Sequence, residues 1–395
     1  MKKIMVVNAG SSSLKFQLLA MPEETIITDG IVERIGLDDA YYTIEVNGHK
    51  EKKVLPVKDH AVAVDIVLND LIEKNIIKNL EEISGVGHRV VQGGKTFDKS
   101  VVIDKSVVEE ITRLCELAPL HNPAHLIGIK ALKKALPTVP QVAVFDTAFH
   151  QTMKEEAYMY ATPYEWYEKY GIRKYGAHGT SHQYVALEAA KLEGKPFEDL
   201  KIVTLHLGNG ASIAAIKDGI CVDTSMGLTP LEGIPMGTRS GNIDPTIVEF
   251  IANKENLTVS EVLNILNKKS GYLGVSGVSN DSRDLEECMS EGNERCRLAL
   301  DIQYKRIADY IGSYYVYLGG IDVIVFTAGI GENSERCRSE ILNRISVLGV
   351  ELDEEANKAR RKAQLITTKN SKINAYLIPT NEEIVIARDT AMLIE

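Results

Sequence analysis

Cysteine is scarce and unpatterned in this chain. Its five cysteines, Cys115, Cys221, Cys288, Cys296 and Cys337, lie far apart, and no C-x-x-C pair occurs. The odd count and the missing pattern argue against a disulfide framework and point to reduced thiols in a cytosol. No block of Lys and Arg is present, and the formal net charge is −10. Nucleic acid and anionic membrane surfaces are therefore poor partners, and an anionic ligand would have to be met by a few basic groups placed locally against the global field. No apolar run reaches membrane length. The opening MKKIMVVNAG has four apolar residues before it turns polar, too few for a signal-peptide core or a span, so a cytoplasmic protein is expected. A low-complexity segment and a Gly/Ser linker are also missing, and any domain boundary must be tight. Neither G-x-x-x-x-G-K-[ST] nor H-E-x-x-H occurs.

The 395 residues are 44% hydrophobic and 25% charged, enough to bury sizeable cores without staples in about two or three domains. A weak internal repeat is present. KIMVVNAGSSSLKFQLL at the start and KIVTLHLGNGASIAAIKDG from Lys201 align on Gly10 and Gly208. Each has an apolar strand, a polar Gly-rich turn and an alternating strand. Two chance hairpins would look alike; a duplication implies two related α/β domains facing each other across a cleft. Elsewhere helical and strand patterns alternate. HAVAVDIVLNDLIEKNII from His60 has helical spacing, ISGVGHRVVQGG reads as a strand ending in a Gly pair, and Gln141–Phe145 is a short buried strand with Asp146 at its end. The stretch 335–348 reads as a helix capped by Asn333 or Ser334. The class is α/β, whose ligands gather at strand C-termini.

Three Gly-rich loops follow apolar strands. The first, Asn8 to Ser13 with Lys15 beyond, suits either an ordinary hairpin or an anion cradle. HLGNGAS offers Gly208 and Gly210 for close backbone approach, and Ala328 to Ser334 opens a helix whose N-terminus favours negative charge. Together they point to a nucleotide. Arg89 and Arg239 sit among glycines and small residues, suited to clamping carboxylate or phosphate or, alternatively, to capping loop carbonyls; Arg283 reads as a helix start. The pairs His121/His125 and His178/His182 have metal spacing, but Pro123 and Gly179 interrupt them, and His178 reads better as a donor to an anion. Asp146 and Glu382 are candidate carboxylates for Mg²⁺, with helix-dipole complementation as the competing role for Glu382. YEWYEKYGIRKYG, with the single Trp166, reads as an ordinary surface helix.

Taken in order, NAGSSSLKFQL, GHRVV, LAPLHNP, VFDTAFHQTM, HGTSH, HLGNGASIAA, DTSMG, TPLEG, MGTRSGNIDP, NKKSG, FTAGIGENS and IPTNEE resemble the acetate kinase family, within the sugar-kinase/Hsp70/actin-type ATPase fold, along essentially the whole chain. The resemblance implies ATP- and Mg²⁺-dependent phosphorylation of a short-chain carboxylate, acetate first and propionate as the alternative, by a homodimer. A non-catalytic ATP-binding module of the same fold is the rival from outside enzymology. It implies Asn8 and Glu382 at the metal, with Mn²⁺ as a substitute for Mg²⁺. Arg89 is implied at the substrate carboxylate, and Val91, Leu120 and Pro230 around the methyl group. Asp146, His178 and Arg239 become the catalytic residues. Lys15, His206, Leu207, Gly208, Asn209 and Gly210 fall to the nucleotide, as do Asp281, Ser282, Arg283, Gly329, Ile330, Gly331, Glu332 and Asn333. Two departures stand out: Ala177 where the family usually has Phe, and Gln92 where it usually has His. The first is expected to enlarge the acyl pocket. The domains implied are 1–150 with a returning helix 384–395, and a nucleotide-binding domain 151–383.

Overall fold

A computed structural model describes residues 1–395. The chain divides into two compact units, Met1–Phe149 with Asn381–Glu395, and His150–Thr380. The first holds an eight-stranded sheet built from β1 (Lys2–Ala9), β2 (Ser13–Met21), β3 (Thr25–Glu33), β4 (Tyr41–Val46), β5 (His49–Val54), β6 (Ile83–Val90), β7 (Val101–Val102) and β8 (Gln141–Phe145), in the order β5-β4-β3-β2-β1-β6-β8-β7. β2 is antiparallel to β1, with Asn8 opposite Lys15, whereas β6 is parallel to both β1 and β8.

Period-two alternation divides this sheet into two faces. Met5, Val7, Leu14, Phe16 and Leu18 pack with Val64, Val67 and Leu71 of the helix His60–Glu73 and with Leu132 of the helix Asn122–Ala135. Gly85, Gly87 and Arg89 alternate along β6 toward the C-terminal helix Glu382–Leu393. A Cβ on Gly87 would lie 2.4 Å from Thr390 Oγ1, and one on Gly85 would lie 2.6 Å from Ile394 Cδ1. These glycines therefore let the helix lie directly on the strand. Its cap is Asn381, whose Oδ1 accepts from the Ile384 amide at 3.1 Å, and Glu382 and Glu383 occupy the first turn. The boundary expected at 383/384 falls inside this capped helix, so Glu382 belongs to the first unit.

The second unit repeats the plan. Its strands are β9 (Ile202–Leu207), β10 (Ala211–Lys217), β11 (Ile220–Thr224), β12 (Val323–Thr327), β13 (Gln364–Leu365) and β14 (Asn374–Leu377), in the order β11-β10-β9-β12-β14-β13. As around β1, the strand β9 has an antiparallel hairpin partner on one side and a parallel strand on the other. The Gly10 and Gly208 turns thus close equivalent hairpins, with Gly10 N–H donating to Ser13 O at 2.8 Å and Gly208 N–H to Gly210 O at 3.1 Å. The core packs β9, β10 and β12 against the helix Glu294–Leu318.

The segment 328–334 is not a loop. Ala328–Asn333 is a short helix entered through Ala328 in the left-handed region (φ 63°). Ser334 caps the next helix, its Oγ accepting from the Cys337 amide, and that helix is Glu335–Arg344, shorter than 335–348. A tight turn, Ser346–Leu348, follows and stops at the left-handed Gly349. All five cysteines are free, and Tyr164–Tyr170 is an exposed helix. No helix is long and apolar enough to cross a membrane.

Candidate active site

In the first unit, Asn8, Lys15, Arg89, Glu382 and Glu383 line one small cavity of about 20 Å³, room for a single ion or water. β1, β2, β6 and the first turn of the C-terminal helix each supply side chains. Arg89 is gripped by Asp146, just past the end of β8, through Nε–Oδ1 at 2.9 Å and Nη2–Oδ2 at 2.7 Å. Asp146 is 1% exposed, so this is a bidentate pair in a dry setting. Glu382 meets Arg89 Nη1 more loosely, at 3.7 Å, and Lys15 pairs with Glu383. Burial works against the Arg89 charge, yet Asp146 and Glu382 more than offset it and hold the guanidinium above its ordinary range. Burial, together with Asp146 and Glu383, pushes the Glu382 carboxyl up against the pull of Arg89 and Lys15. Three carboxylates thus face two cations. Asp146 is taken up by Arg89 and Glu383 by Lys15. That leaves the Glu382 carboxyl and the Asn8 amide as hard-oxygen donors at the cavity, a set that fits Mg²⁺ only with water and phosphate oxygens completing it. Val91 is buried, whereas Leu120 is 59% exposed.

In the second unit, Gly208, Asn209, Asp281, Ser282, Arg283, Gly329, Ile330 and Asn333 line a cavity of about 660 Å³. Asp281 caps the helix Ser282–Ser290 and pairs with Arg283, Nε to Oδ1 at 3.0 Å, and that bond holds the Asp281 carboxyl below its usual range. Arg360 and Arg361 line the same cavity. Sequence reasoning missed both, because ARRK in a charged surface stretch carries no motif. Arg361 Nε donates to Asn333 Oδ1 at 3.2 Å. Beneath them Arg338, fully buried, donates to Gly331 O, Asn357 Oδ1, Asn357 O and Ala359 O, with no carboxylate partner. It ties the helix Ala328–Asn333 to the segment leading into Arg360. Arg338→Met is expected to lower the urea midpoint and cost about 2–4 kcal/mol, because several buried acceptors lose their donor. An unchanged midpoint would remove the clamp.

The remaining expected residues of this unit sit outside that cavity. Leu207 is core, Gly331 serves Arg338 through its carbonyl, and Glu332 Oε1 accepts from the Thr380 amide at 3.2 Å. His206 stacks on His178, with ring centroids 4.1 Å apart and planes 15° apart. His178 stands in the left-handed region (φ 57°) immediately before the helix Gly179–Glu193, a strained placement of a kind that collects at functional sites. Ala177 is packed in the core of this unit. Arg239 is partly buried and has no carboxylate partner. Its contacts are the Pro230 carbonyl at 3.4 Å and Met236 Sδ at 3.8 Å, and burial lowers its pKa. A Cβ built on Gly210 would lie 3.4 Å from Arg239 Nη1 and 3.7 Å from His178 Nε2. The Gly210 turn, an unneutralised guanidinium and an imidazole edge therefore border one space that a side chain would fill.

Two sheets on one plan, with glycine turns at the ends of their central strands and a guanidinium without a carboxylate partner beside one of those turns, define a duplicated α/β fold. The acetokinase family model matches residues 3–388. An acetate kinase of Chlorante-Aster yellows phytoplasma is 58% identical over 391 residues, covering 99% of this chain and 95% of that one. The crystal structure of Porphyromonas gingivalis acetate kinase superposes with a TM-score of 0.95 at 43% identity, and that of a propionate kinase from Francisella tularensis with 0.94 at 43%, each covering both chains fully. The chain belongs to the acetokinase family.

Proposed function

We propose that this kinase transfers the γ-phosphoryl of ATP directly to acetate, giving acetyl phosphate and ADP, in the cytoplasm and as a homodimer. The observation that carries the reading is Arg239, a desolvated cation with no counter-ion beside His178 and the Gly210 turn. At neutral pH the acetate carboxylate is already anionic, so no base is needed, and the obstacle is repulsion between two anions. Arg89, oriented by Asp146, binds the carboxylate. Arg239 and His178 offset the charge on the phosphoryl, and the cavity with Asn209, Arg283 and Asn333 takes the nucleotide. Lys15, paired with Glu383, lends positive charge beside Glu382. Asn8 and Glu382 would hold Mg²⁺, which supplies neutralisation of phosphate oxygens.

The test is a coupled assay for ADP release with acetate, propionate, butyrate and formate in turn. Acetate should give the highest kcat/KM; ADP release without any acceptor would sink the reading. Better use of propionate is the expectation raised by Ala177 in place of the family's Phe, and its packed setting gives no support to a larger acyl pocket. Because Ala177 lies in a packed core, Ala177→Phe is expected to destabilise by about 1–3 kcal/mol through overpacking. The propionate-to-acetate ratio of kcat/KM in that variant decides whether the pocket reaches it.

Glu382→Gln is expected to raise the Mg²⁺ concentration for half-maximal activity at least about 10-fold. In the unaltered enzyme that requirement should climb as pH falls through the raised pKa of Glu382, because protonation removes a ligand. Glu382→Gln should flatten the dependence; an identical pH profile in both proteins would remove Glu382 from the metal.

A further inference from the structure

We propose that Thr204, His182 and Ser212 form a one-way hydrogen-bond relay that fixes His178 as the neutral tautomer with its proton on Nε2. The inference rests on reading His178 as a group that faces the transferring phosphoryl. The three relay residues are fully buried. Thr204 Oγ1 lies 2.7 Å from His182 Nδ1, His182 Nε2 lies 2.7 Å from Ser212 Oγ, and Ser212 Oγ lies 2.8 Å from His178 Nδ1.

The direction follows from counting hydrogens. The hydrogen-bond partner of the Thr204 hydroxyl is the His182 ring nitrogen. In a dry strand that hydrogen must go to Nδ1, since a buried donor left unmade is costly. Burial, with the nearby His150 and His206, holds the His182 pKa well below its usual value. The ring is therefore neutral, and its one proton sits on Nε2, donated to Ser212 Oγ. The Ser212 hydroxyl has already accepted, so its own hydrogen goes to His178 Nδ1. With Nδ1 accepting, His178 carries its proton on Nε2, which lies with Cε1 on the ring edge 3.7 Å from a Cβ built on Gly210.

Reversing the order strands the Thr204 hydrogen without an acceptor. The relay therefore presents a hydrogen-bond donor to an anion without requiring a protonated imidazole, leaving Arg239 to supply the charge. Thr204, His182 and Ser212 are positioning residues: none needs to touch substrate, and each acts through the next.

The test uses full-length enzyme labelled with ¹⁵N-histidine, with His178 assigned by its loss in His178→Gln. Near neutral pH the relay requires a pyrrole-like Nε2 and a pyridine-like Nδ1 at His178. Thr204→Val keeps the shape and deletes the first donor. It should give a mixture of His178 tautomers and lower kcat about 10–100-fold with both KM values unchanged, and Thr204→Ser should restore both readouts. Ser212→Ala, which cuts the chain next to His178 in an alanine-rich strand, is the second variant should Thr204→Val not fold. An Nδ1–H tautomer or a charged ring in the unaltered enzyme overturns the relay, as does an unaltered His178 spectrum in Thr204→Val. A tautomer that follows the relay while kcat stays constant supports the relay and overturns the catalytic reading of His178 instead.

Discussion

Arg239→Ala is expected to lower kcat about 10²–10³-fold, the usual cost of removing one preorganised charge donor, while the KM for nucleotide changes little. The expectation comes from the state of the guanidinium before any ligand arrives. It is partly buried, its nearest acceptor is the Pro230 carbonyl at 3.4 Å, and no carboxylate neutralises it. A cation kept in that condition has attraction to spare for an anion, because its protein contacts are a long bond to a carbonyl and a thioether rather than a carboxylate. Arg239→Lys should recover only a fraction of the loss, because a point charge on a flexible stem does not reproduce the planar fork. Steady-state kinetics with acetate and ATP check this, and near-normal kcat in the alanine variant would dismiss the role.

Arg89→Ala should act differently, raising the KM for the carboxylate about 100-fold, as expected from loss of charge-assisted hydrogen bonds worth about 1.5–3 kcal/mol. It should also destabilise the first unit, by about 3–5 kcal/mol, because Asp146 is buried and would lose its bidentate partner. Asp146→Asn separates the two effects. It keeps Arg89 and relieves the buried charge, so stability should fall less, while the freed guanidinium loses its orientation and the carboxylate KM rises modestly. Acetate titrations combined with urea unfolding distinguish these outcomes. An Arg89→Ala protein with unchanged acetate KM would mean that the arginine serves structure alone.

Much of the fold was legible because local chemistry and global topology agree. Gln141–Phe145 is five apolar or buried residues ended by Asp146, and it forms the expected strand. The Gly10 and Gly208 repeat became two hairpins at equivalent places in two sheets. The errors fall where propensity is silent. The glycines of AGIGEN suggested a loop, but the left-handed entry at Ala328 starts a helix there, which ends at Ser334, one of the two caps expected for the next helix. Arg360 and Arg361 were unreadable because their relevance comes from a cavity that residues distant in sequence complete.

The sequence by itself determined the α/β class, the duplicated strand-turn-strand and the family, since these depend on period, turn chemistry and ordered motifs within short windows. Only the tertiary structure decided what each charged group meets. Gly85 and Gly87 admit a helix from the far end of the chain, which brings Glu382 to Arg89, and Asp146 grips that arginine from another strand. Arg239, equally basic in the sequence, is left without a carboxylate. Electrostatics and buried hydrogen bonds act over ångströms in space, and the register of sheets and the approach of helices set those distances.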